Sequence, residues 1–293
     1  MSFPVFGSLY QRLLFLLPLA ADHFTYDEPE KWHTQFPQCG GSKQSPIVIS
    51  TPKAVDILIP PLEFGLYDTP LSKTINLHNN GHTVEFKIPA TISGDKPYIR
   101  GGLLDDVYEV EQVHFHWGSP TSKGSEHVLN GHRYDIEMHI VHRNTKYPSV
   151  EIARQFEDGI AVVAVLFKVV KSENVFYPGL NVIYNRLQNV HTFNTTSDTM
   201  YLISLGSLLG NINREDFYTY QGSLTTPPCS EAVSWIIFSD VLPISYRELP
   251  KFWNILNEKG NTFVNVRPVQ YKGFRKVFHR KPLIQFKYLG WRK

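Results

Sequence analysis

Three histidines at alternating positions constrain the fold of this chain more than any other feature. His114 and His116 stand two residues apart, and His139 follows Glu137 at the same spacing. Side chains alternate between the two faces of a β-strand, so residues two apart point to the same side. The pattern predicts two neighbouring strands that bring three imidazoles to one point, with Gln112 and Glu137 on the same face.

Three imidazole nitrogens are typical of a catalytic zinc site, which keeps a fourth position open for water. A structural zinc site would use cysteines, and none lies near these histidines. A metal-bound histidine normally gives its other ring N–H to a carboxylate, amide or carbonyl, and Gln112 and Glu137 each precede a candidate ligand by two residues. A single histidine in a strand is more often an ordinary surface or core residue, so these neighbours favour the prediction of one zinc ion per chain.

The bulk properties are those of a globular protein. The 293 residues are 42% hydrophobic, which is enough for a large core, and no linker or repeat divides residues 22–293. We therefore predict one mostly β domain over this range. The net charge is only +2 and no basic run is interleaved with aromatic residues, so nucleic acid is not a predicted partner.

The first residues resemble a secretory signal. Arg12 supplies a positive charge, residues 13–19 are apolar, and Ala20 and Ala21 are small enough for a cleavage site. The apolar run is shorter than the roughly 20 residues that span a bilayer. We predict a signal peptide over residues 1–21 and a secreted, extracellular mature chain without a membrane span. A buried N-terminal helix is the alternative.

Strand patterns dominate the rest of the chain. Alternation or mostly apolar runs predict strands over residues 83–88, 112–117, 134–143, 160–170 and 232–238. Helical patterns are restricted to residues 174–188 and 245–257. In the second of these segments, Ser245 and Glu248 have the spacing of a capping box.

Two cysteines and one glycosylation acceptor fit an exported protein. An even number of cysteines favours a disulfide between Cys39 and Cys229, with two buried free thiols as the alternative. Asn194 begins the acceptor sequence Asn194-Thr195-Thr196, so a glycan at Asn194 is expected on a secreted chain.

Short motifs then recur in a fixed order along almost the whole chain. They are Tyr26, Trp32, Gln44-Ser45-Pro46, Asn79-Asn80-Gly81-His82, residues 112–118, Gly124-Ser125-Glu126-His127, residues 137–142, residues 222–228, Val233, Trp235 and residues 265–268. In order and spacing the chain resembles the α-class carbonic anhydrases. The sequences around Cys39 and Cys229 resemble the secreted and membrane-bound branch, in which the two cysteines are bridged.

The resemblance implies a mainly β domain with a central twisted, mostly antiparallel sheet, a few short peripheral helices, and zinc at the floor of a conical cleft. It implies a carbonate dehydratase, a zinc lyase that reversibly hydrates carbon dioxide to bicarbonate and a proton through a hydroxide held on zinc. The family's zinc ligands and the groups that hold them fall on His114, His116 and His139, and on Gln112, Glu137 and the backbone carbonyl of Asn265.

Thr225 and Glu126 are predicted to act as a pair. A threonine hydroxyl has one proton to donate. If an ionised Glu126 accepts that proton, Thr225 can only accept a hydrogen bond from the hydroxide, which orients the nucleophile. An ordinary turn residue is the alternative for Thr225. The resemblance also implies that its backbone N–H binds a substrate or anion oxygen.

Carbon dioxide is apolar and needs an apolar wall beside the nucleophile. The resemblance places the substrate contacts at Val141, Val162, Leu224, Thr225, Thr226, Val233 and Trp235. Plain core packing is the alternative for the apolar ones. Anions and sulfonamide-type inhibitors are further expected ligands.

His82 matches the family position that carries the product proton to solvent, a task that suits the ordinary pKa of histidine. Tyr26 and Asn80 match residues that order water in the cleft. From spacing alone, His82 after Asn80-Gly81 reads as a loop residue. Phe24 stands where the family usually has tryptophan.

Two other functions remain as alternatives, a catalytically weak, carbonic-anhydrase-like secreted binding protein and a zinc esterase for larger substrates. The presence of all the ligand and catalytic positions argues against the first. The apolar side chains of Val141, Val162 and Trp235 argue against the second, which needs a wide polar pocket.

Overall fold

The computed structural model describes residues 23–282, so the predicted signal peptide at residues 1–21 lies outside the described residues. The strands are β1 Val48–Ile49, β2 Val55–Asp56, β3 Leu62–Gly65, β4 Asn76–Asn79, β5 Val84–Lys87, β6 Tyr98–Gly101, β7 Leu104–Trp117, β8 Val128–Leu129, β9 His132–Arg133, β10 Ile136–Asn144, β11 Ile160–Val170, β12 Thr196–Asp198, β13 Phe217–Gly222, β14 Val233–Ser245 and β15 Phe278–Arg280. The helices are α1 Trp32–Gln35, α2 Val150–Ala153, α3 Pro178–Tyr184, α4 Gly206–Leu209 and α5 Leu249–Trp253, with 3₁₀ turns at Pro29–Lys31, Pro37–Gly40, Thr51–Lys53 and Leu187–Val190.

One large sheet organises the described part of the chain. Its order is β12-β4-β5-β7-β10-β11-β14-β13-β15-β2, with β6 paired to β7 and β3 paired to β6. Neighbours are antiparallel except for β11 with β14 and β15 with β2, which are parallel. The short strands β1, β8 and β9 form a separate sheet. The predicted mainly β fold with a mostly antiparallel sheet and short helices is confirmed.

The central strands are buried on both faces. Alternate residues of β11 belong to two separate apolar clusters: Ala161, Val163, Val165 and Phe167 to the larger, and Ile160, Val162, Ala164 and Leu166 to the smaller. A strand covered on both sides needs apolar residues at every position. This is why residues 160–167 read as an unbroken apolar run; the strand continues to Val170 past the exposed Lys168.

β-Bulges explain why two predicted strands were too short. In the β7–β10 pair, Val141 lies opposite Gln112 but His142 lies opposite Val110, so Glu111 is an extra residue. A bulge reverses which face the following side chains occupy. The alternation in the sequence therefore stops at Gln112, although the strand begins at Leu104. In the β11–β14 pair, Ala164 lies opposite Ile237 but Leu166 lies opposite Val241, so β14 has two extra residues at the point where its predicted strand ends.

The predicted capping box is wrong. Ser245 is the last residue of β14 and pairs with Val170 of β11, so the sheet holds it in an extended conformation. Its hydroxyl accepts a hydrogen bond from the N–H of Arg247 at 3.3 Å. Helix α5 begins only at Leu249, with Pro250 in its first turn, where proline is tolerated. The other predicted helix, at residues 174–188, is likewise reduced to α3 and a 3₁₀ turn.

The predicted disulfide is confirmed. Cys39 and Cys229 are joined across 190 residues of sequence. They form a small buried cluster with Trp32 and Phe36, and Phe24 packs against it. The bridge therefore ties the N-terminal segment to the loop that follows β13. Within residues 23–282, no helix combines the length and apolar character that a bilayer crossing requires.

A buried histidine under the sheet predicts how stability depends on pH. His142 is fully buried, with Nδ1 donating to the carbonyl of Ala161 and Nε2 beside the hydroxyl of Tyr67. Burial lowers the pKa of His142 from 6.5 to about 3. The unfolded chain therefore binds a proton at His142 below pH 6.5 that the native chain does not bind until about pH 3.

Stability is thus expected to fall as the pH drops through this window, by roughly 5 kcal/mol at full effect. Urea unfolding at pH 4.5 and pH 7 measures it. The variant His142→Gln removes this titration and should lose less stability between the two pH values than the parent chain. Equal losses in both proteins would contradict the assignment to His142.

Candidate metal centre and cleft

The pairing of β7 with β10 builds the histidine cluster. His114 lies opposite His139, and His116 lies opposite Glu137. The ring centroids are 5.1 Å apart for His114 and His116, 5.1 Å for His114 and His139, and 4.5 Å for His116 and His139. One nitrogen from each ring lies within 4.8 Å of the others. The structure thus brings together the three histidines that the sequence singled out.

Hydrogen bonds leave a defined nitrogen of two of the three rings for a metal. His116 donates from Nδ1 to the carbonyl of Asn265 at 2.7 Å, and His139 donates from Nε2 to Glu137 at 2.7 Å. His116 Nε2 is buried and has no hydrogen-bond partner within residues 23–282. A buried nitrogen without a partner is costly, and a bound cation would satisfy it. The set of three imidazole nitrogens fits zinc.

Burial favours the neutral rings that a metal needs. The pKa of His114 is well below its ordinary value because the ring is desolvated and lies beside His116 and His139. Burial also lowers the pKa of His139, with His116 adding to the effect and Glu137 opposing it. Unprotonated nitrogens keep the lone pairs that bind metal.

Glu137 joins the cluster to a second group of buried side chains. It accepts hydrogen bonds from His139 Nε2, from His127 Nδ1 at 2.6 Å and from the backbone N–H of His127 at 2.8 Å. Burial alone would raise the pKa of Glu137, but His127 and these hydrogen bonds hold it well below its usual value. The Tyr220 hydroxyl lies 2.7 Å from His127 Nε2. Sequence reasoning gave His127 and Tyr220 no role, because only their contacts in space reveal one.

Gln112 is on the metal face, opposite Val141, but it makes no bond to His114. Gln112 Oε1 and His114 Nδ1 are both buried atoms without a hydrogen-bond partner in the described part of the chain. The two atoms are chemically complementary, an acceptor and a potential donor.

Glu126 is buried beside His116. Its Oε1 accepts from the backbone N–H of Arg267 at 3.0 Å, and its Oε2 lies 3.5 Å from His116 Nε2. Oε2 has no hydrogen-bond partner among the described residues, so the predicted bond from Thr225 is not formed. Thr225 is buried in the loop that follows β13. Burial lowers the pKa of Arg267 to about 10 against the opposing effect of Glu126.

An apolar wall begins beside His139. The register places Val141 of β10 opposite Val162 of β11, which in turn lies opposite Trp235 of β14. The rings of His139 and Trp235 are 4.9 Å apart. Val233 belongs to the same buried cluster, Leu224 packs against it, and Thr226 is half-buried next to Thr225. The structure therefore groups all the predicted apolar contacts on one side of the histidines.

His82 lies in the loop between β4 and β5, where its ring stacks on Phe24 with centroids 4.1 Å apart. Burial lowers the pKa of His82, His23 adds to the effect and Glu258 opposes it. The Asn80 side-chain oxygen accepts from the N–H groups of His82 and Thr83, each at 2.9 Å, so it orders this loop.

Tyr26 is a half-buried residue near Glu126. Its pKa is raised well above the ordinary value by burial and by the charge of Glu126, while Arg267 opposes the shift. Tyr26 therefore keeps its hydroxyl proton at neutral pH and can donate a hydrogen bond.

Comparison with known proteins places this geometry in a family. The family profile described as eukaryotic-type carbonic anhydrase matches residues 27–281. Carbonic anhydrase 15 of Mus musculus is 37% identical over 244 residues, which cover 82% of this chain and 74% of that protein. Carbonic anhydrase 6 of Homo sapiens is 34% identical over 279 residues, covering 91% of this chain and 85% of that protein.

Carbonic anhydrase 7 of Mus musculus is 35% identical over 251 residues, which cover 83% of this chain and 90% of that protein. The similarity thus extends over most of each relative and includes the strands that carry the histidine cluster. The chain belongs to the eukaryotic-type carbonic anhydrase family.

Proposed function

We propose that this chain catalyses the zinc-dependent, reversible hydration of carbon dioxide to bicarbonate and a proton. The observation that carries the proposal is the convergence of His114, His116 and His139 beside an apolar wall. Membership of the family supports carbon dioxide hydration in general. Zinc with three neutral ligands and an open position supplies a nucleophile at neutral pH, because it acidifies bound water.

The hydrogen bonds around the histidines select the atoms that would hold the ion. Because His116 Nδ1 and His139 Nε2 donate to Asn265 and Glu137, the ligand atoms are His116 Nε2 and His139 Nδ1. His114 Nε2 lies 3.2 Å from His139 Nδ1 and completes the set. Gln112 Oε1 and His114 Nδ1 have no partners among the described residues, so Gln112 would accept from His114 Nδ1 when the ion orients that ring. These partners fix the orientation of each ring.

Thr225 and Glu126 orient the nucleophile. The Oε2 atom of Glu126 has no partner among the described residues and is therefore free to accept the Thr225 proton in the active enzyme. The threonine oxygen would then accept from the nucleophile. The backbone N–H of Thr225 binds a substrate oxygen, and anions and sulfonamide-type inhibitors compete for that position. Thr226 contributes a second polar contact at the mouth of the site.

The apolar wall holds carbon dioxide and excludes water from it. The wall is formed by Val141, Val162, Leu224, Val233 and Trp235. A poorly hydrated, apolar surface binds an uncharged molecule such as carbon dioxide. The same surface does not bind the charged bicarbonate. The wall thus favours entry of carbon dioxide and release of bicarbonate.

His82 accepts the product proton and carries it to the rim. Its lowered pKa leaves it unprotonated at neutral pH and ready to accept. Tyr26 and Asn80 order the water between His82 and the metal centre.

In dilute buffer, His82→Ala is expected to lower turnover by about tenfold or more, because a positioned proton acceptor is lost. Added imidazole should restore turnover. Stopped-flow carbon dioxide hydration over a range of buffer concentrations measures both effects. Turnover that is unchanged in the variant would remove His82 from the proton path.

The proposal as a whole is tested by carbon dioxide hydration before and after a chelator. Activity should disappear with the metal and return with added Zn²⁺. A catalytically weak binding protein would instead show bound zinc with little hydration. Persistent full activity in metal-free protein would overturn the zinc mechanism.

We further propose that the chain is exported and that residues 1–21 are its signal. The disulfide between Cys39 and Cys229 supports this, because such bridges persist in oxidising compartments. Asn194 is exposed, as a glycosylated asparagine must be. Mass spectrometry of chain secreted from a eukaryotic host tests the cleavage site and the glycan together.

A further inference from the structure

A second histidine lies beside His82 at the rim of the cleft. The ring centroids of His23 and His82 are 6.0 Å apart. His23 Nε2 lies 2.7 Å from Glu258 Oε1, and 49% of the His23 side chain is exposed. At that separation, a ring rotation or one bridging water connects the two imidazoles.

His82 itself is less open to solvent than His23. Phe24 covers one face of its ring in a nearly parallel stack, with an interplanar angle of 11°. Burial is the main reason for its lowered pKa. A buffer base can therefore reach His23 more easily than His82.

We propose that His23 is a second proton station, which receives the product proton from His82 and releases it to buffer. The inference rests on the proposed hydration of carbon dioxide. One proton leaves a ring nitrogen of protonated His82 and binds Nδ1 of His23, while His23 Nε2–H remains bonded to Glu258. His23 then gives a proton to a buffer base, both histidines return to the neutral form, and no electrons are transferred.

The charges around the two rings favour this direction. A cavity of about 460 Å³ adjoins His23 and His82, and its charged lining residues are Asp27, Glu258 and Lys259. Lys259 lies 3.9 Å from Asp27, which leaves the Glu258 carboxylate as the charge in contact with His23. Glu258 Oε1 accepts a hydrogen bond from His23 Nε2 and so orients the His23 ring. Repulsion between two imidazolium rings makes the pair pass one proton at a time.

The first test is the variant His23→Gln, with His33→Gln as a matched exposed control in the same N-terminal segment. In dilute buffer, His23→Gln should lower turnover by about three- to tenfold, since proton transfer to buffer then limits the rate. Turnover at saturating buffer should equal that of the parent chain. Interconversion of carbon dioxide and bicarbonate at chemical equilibrium, followed by oxygen-18 exchange, should also be unchanged.

A second test separates proton transfer from a merely structural role of His23. In an NMR titration, the pKa of His82 should rise in His23→Gln because a positive neighbour is lost. It should fall in Glu258→Gln because a negative one is lost. Glu258→Gln should also lower turnover in dilute buffer.

The outcomes distinguish the two levels of the proposal. If the parent chain hydrates carbon dioxide and His23→Gln matches it at every buffer concentration, the second station is wrong and the proposed function stands. If His23→Gln also slows the interconversion at equilibrium, its effect is structural and the second station is again wrong. If the zinc-loaded parent chain shows no hydration at any buffer concentration, both proposals are overturned.

Discussion

Replacing His139 with alanine is expected to abolish tight zinc binding and to lower carbon dioxide hydration by about a thousandfold or more, because the nucleophile depends on the three-ligand site. His139 is central to the geometry. It lies opposite His114 in the β7–β10 pair and bonds to Glu137. Loss of its ring leaves two imidazoles and removes one of the three hydrogen bonds to the buried Glu137 carboxylate.

A matched control is His132→Ala, an exposed histidine on the separate small sheet. It should keep both zinc and activity. A folding readout is also needed, because bound metal stabilises the native state. Added zinc should raise the melting temperature of the parent chain and of His132→Ala, but not that of His139→Ala. Hydration near the parent level in His139→Ala would contradict the role of His139 as a ligand.

Replacing Thr225 with alanine is expected to lower kcat/KM by about 100-fold, the loss typical when a preorganised hydrogen-bonding group is removed. Zinc content should not change, since the proposed ligands are the three clustered histidines and Thr225 is not among them. Thr225→Ser keeps the hydroxyl and should retain most of the activity.

Glu126→Gln tests the other member of the pair. An amide can present an N–H to the threonine oxygen, which removes the constraint on the Thr225 proton. The double variant Thr225→Ala with Glu126→Gln should be no worse than the poorer single variant, because both changes break one interaction. Additive losses, or Thr225→Ala activity within twofold of the parent chain, would show that the two residues do not act as a pair.

The histidine cluster could be predicted from the sequence because side chains two residues apart lie on the same face of a strand. His114 and His116 share a face in any regular strand, and so do Glu137 and His139. The register that sets His139 opposite His114 depends on long-range pairing, which a local pattern does not contain. The contact between His116 and Asn265 spans 149 residues and came only from the family resemblance.

Other features depended on contacts that have no local signature. The capping box at Ser245 failed because β14 continues through that residue. The bulge at Glu111 interrupts the alternation, so the part of β7 that precedes it was not predicted. His23 and Phe24 lie in a segment without periodic structure, so the stacking of Phe24 on His82 and the proximity of His23 are visible only in space.

The most direct test of the central claim is the zinc content of the folded, purified chain after expression with ample metal. Elemental analysis should find one zinc ion per chain, bound tightly enough to survive gel filtration. Well-folded protein that contains no zinc under these conditions would contradict the account.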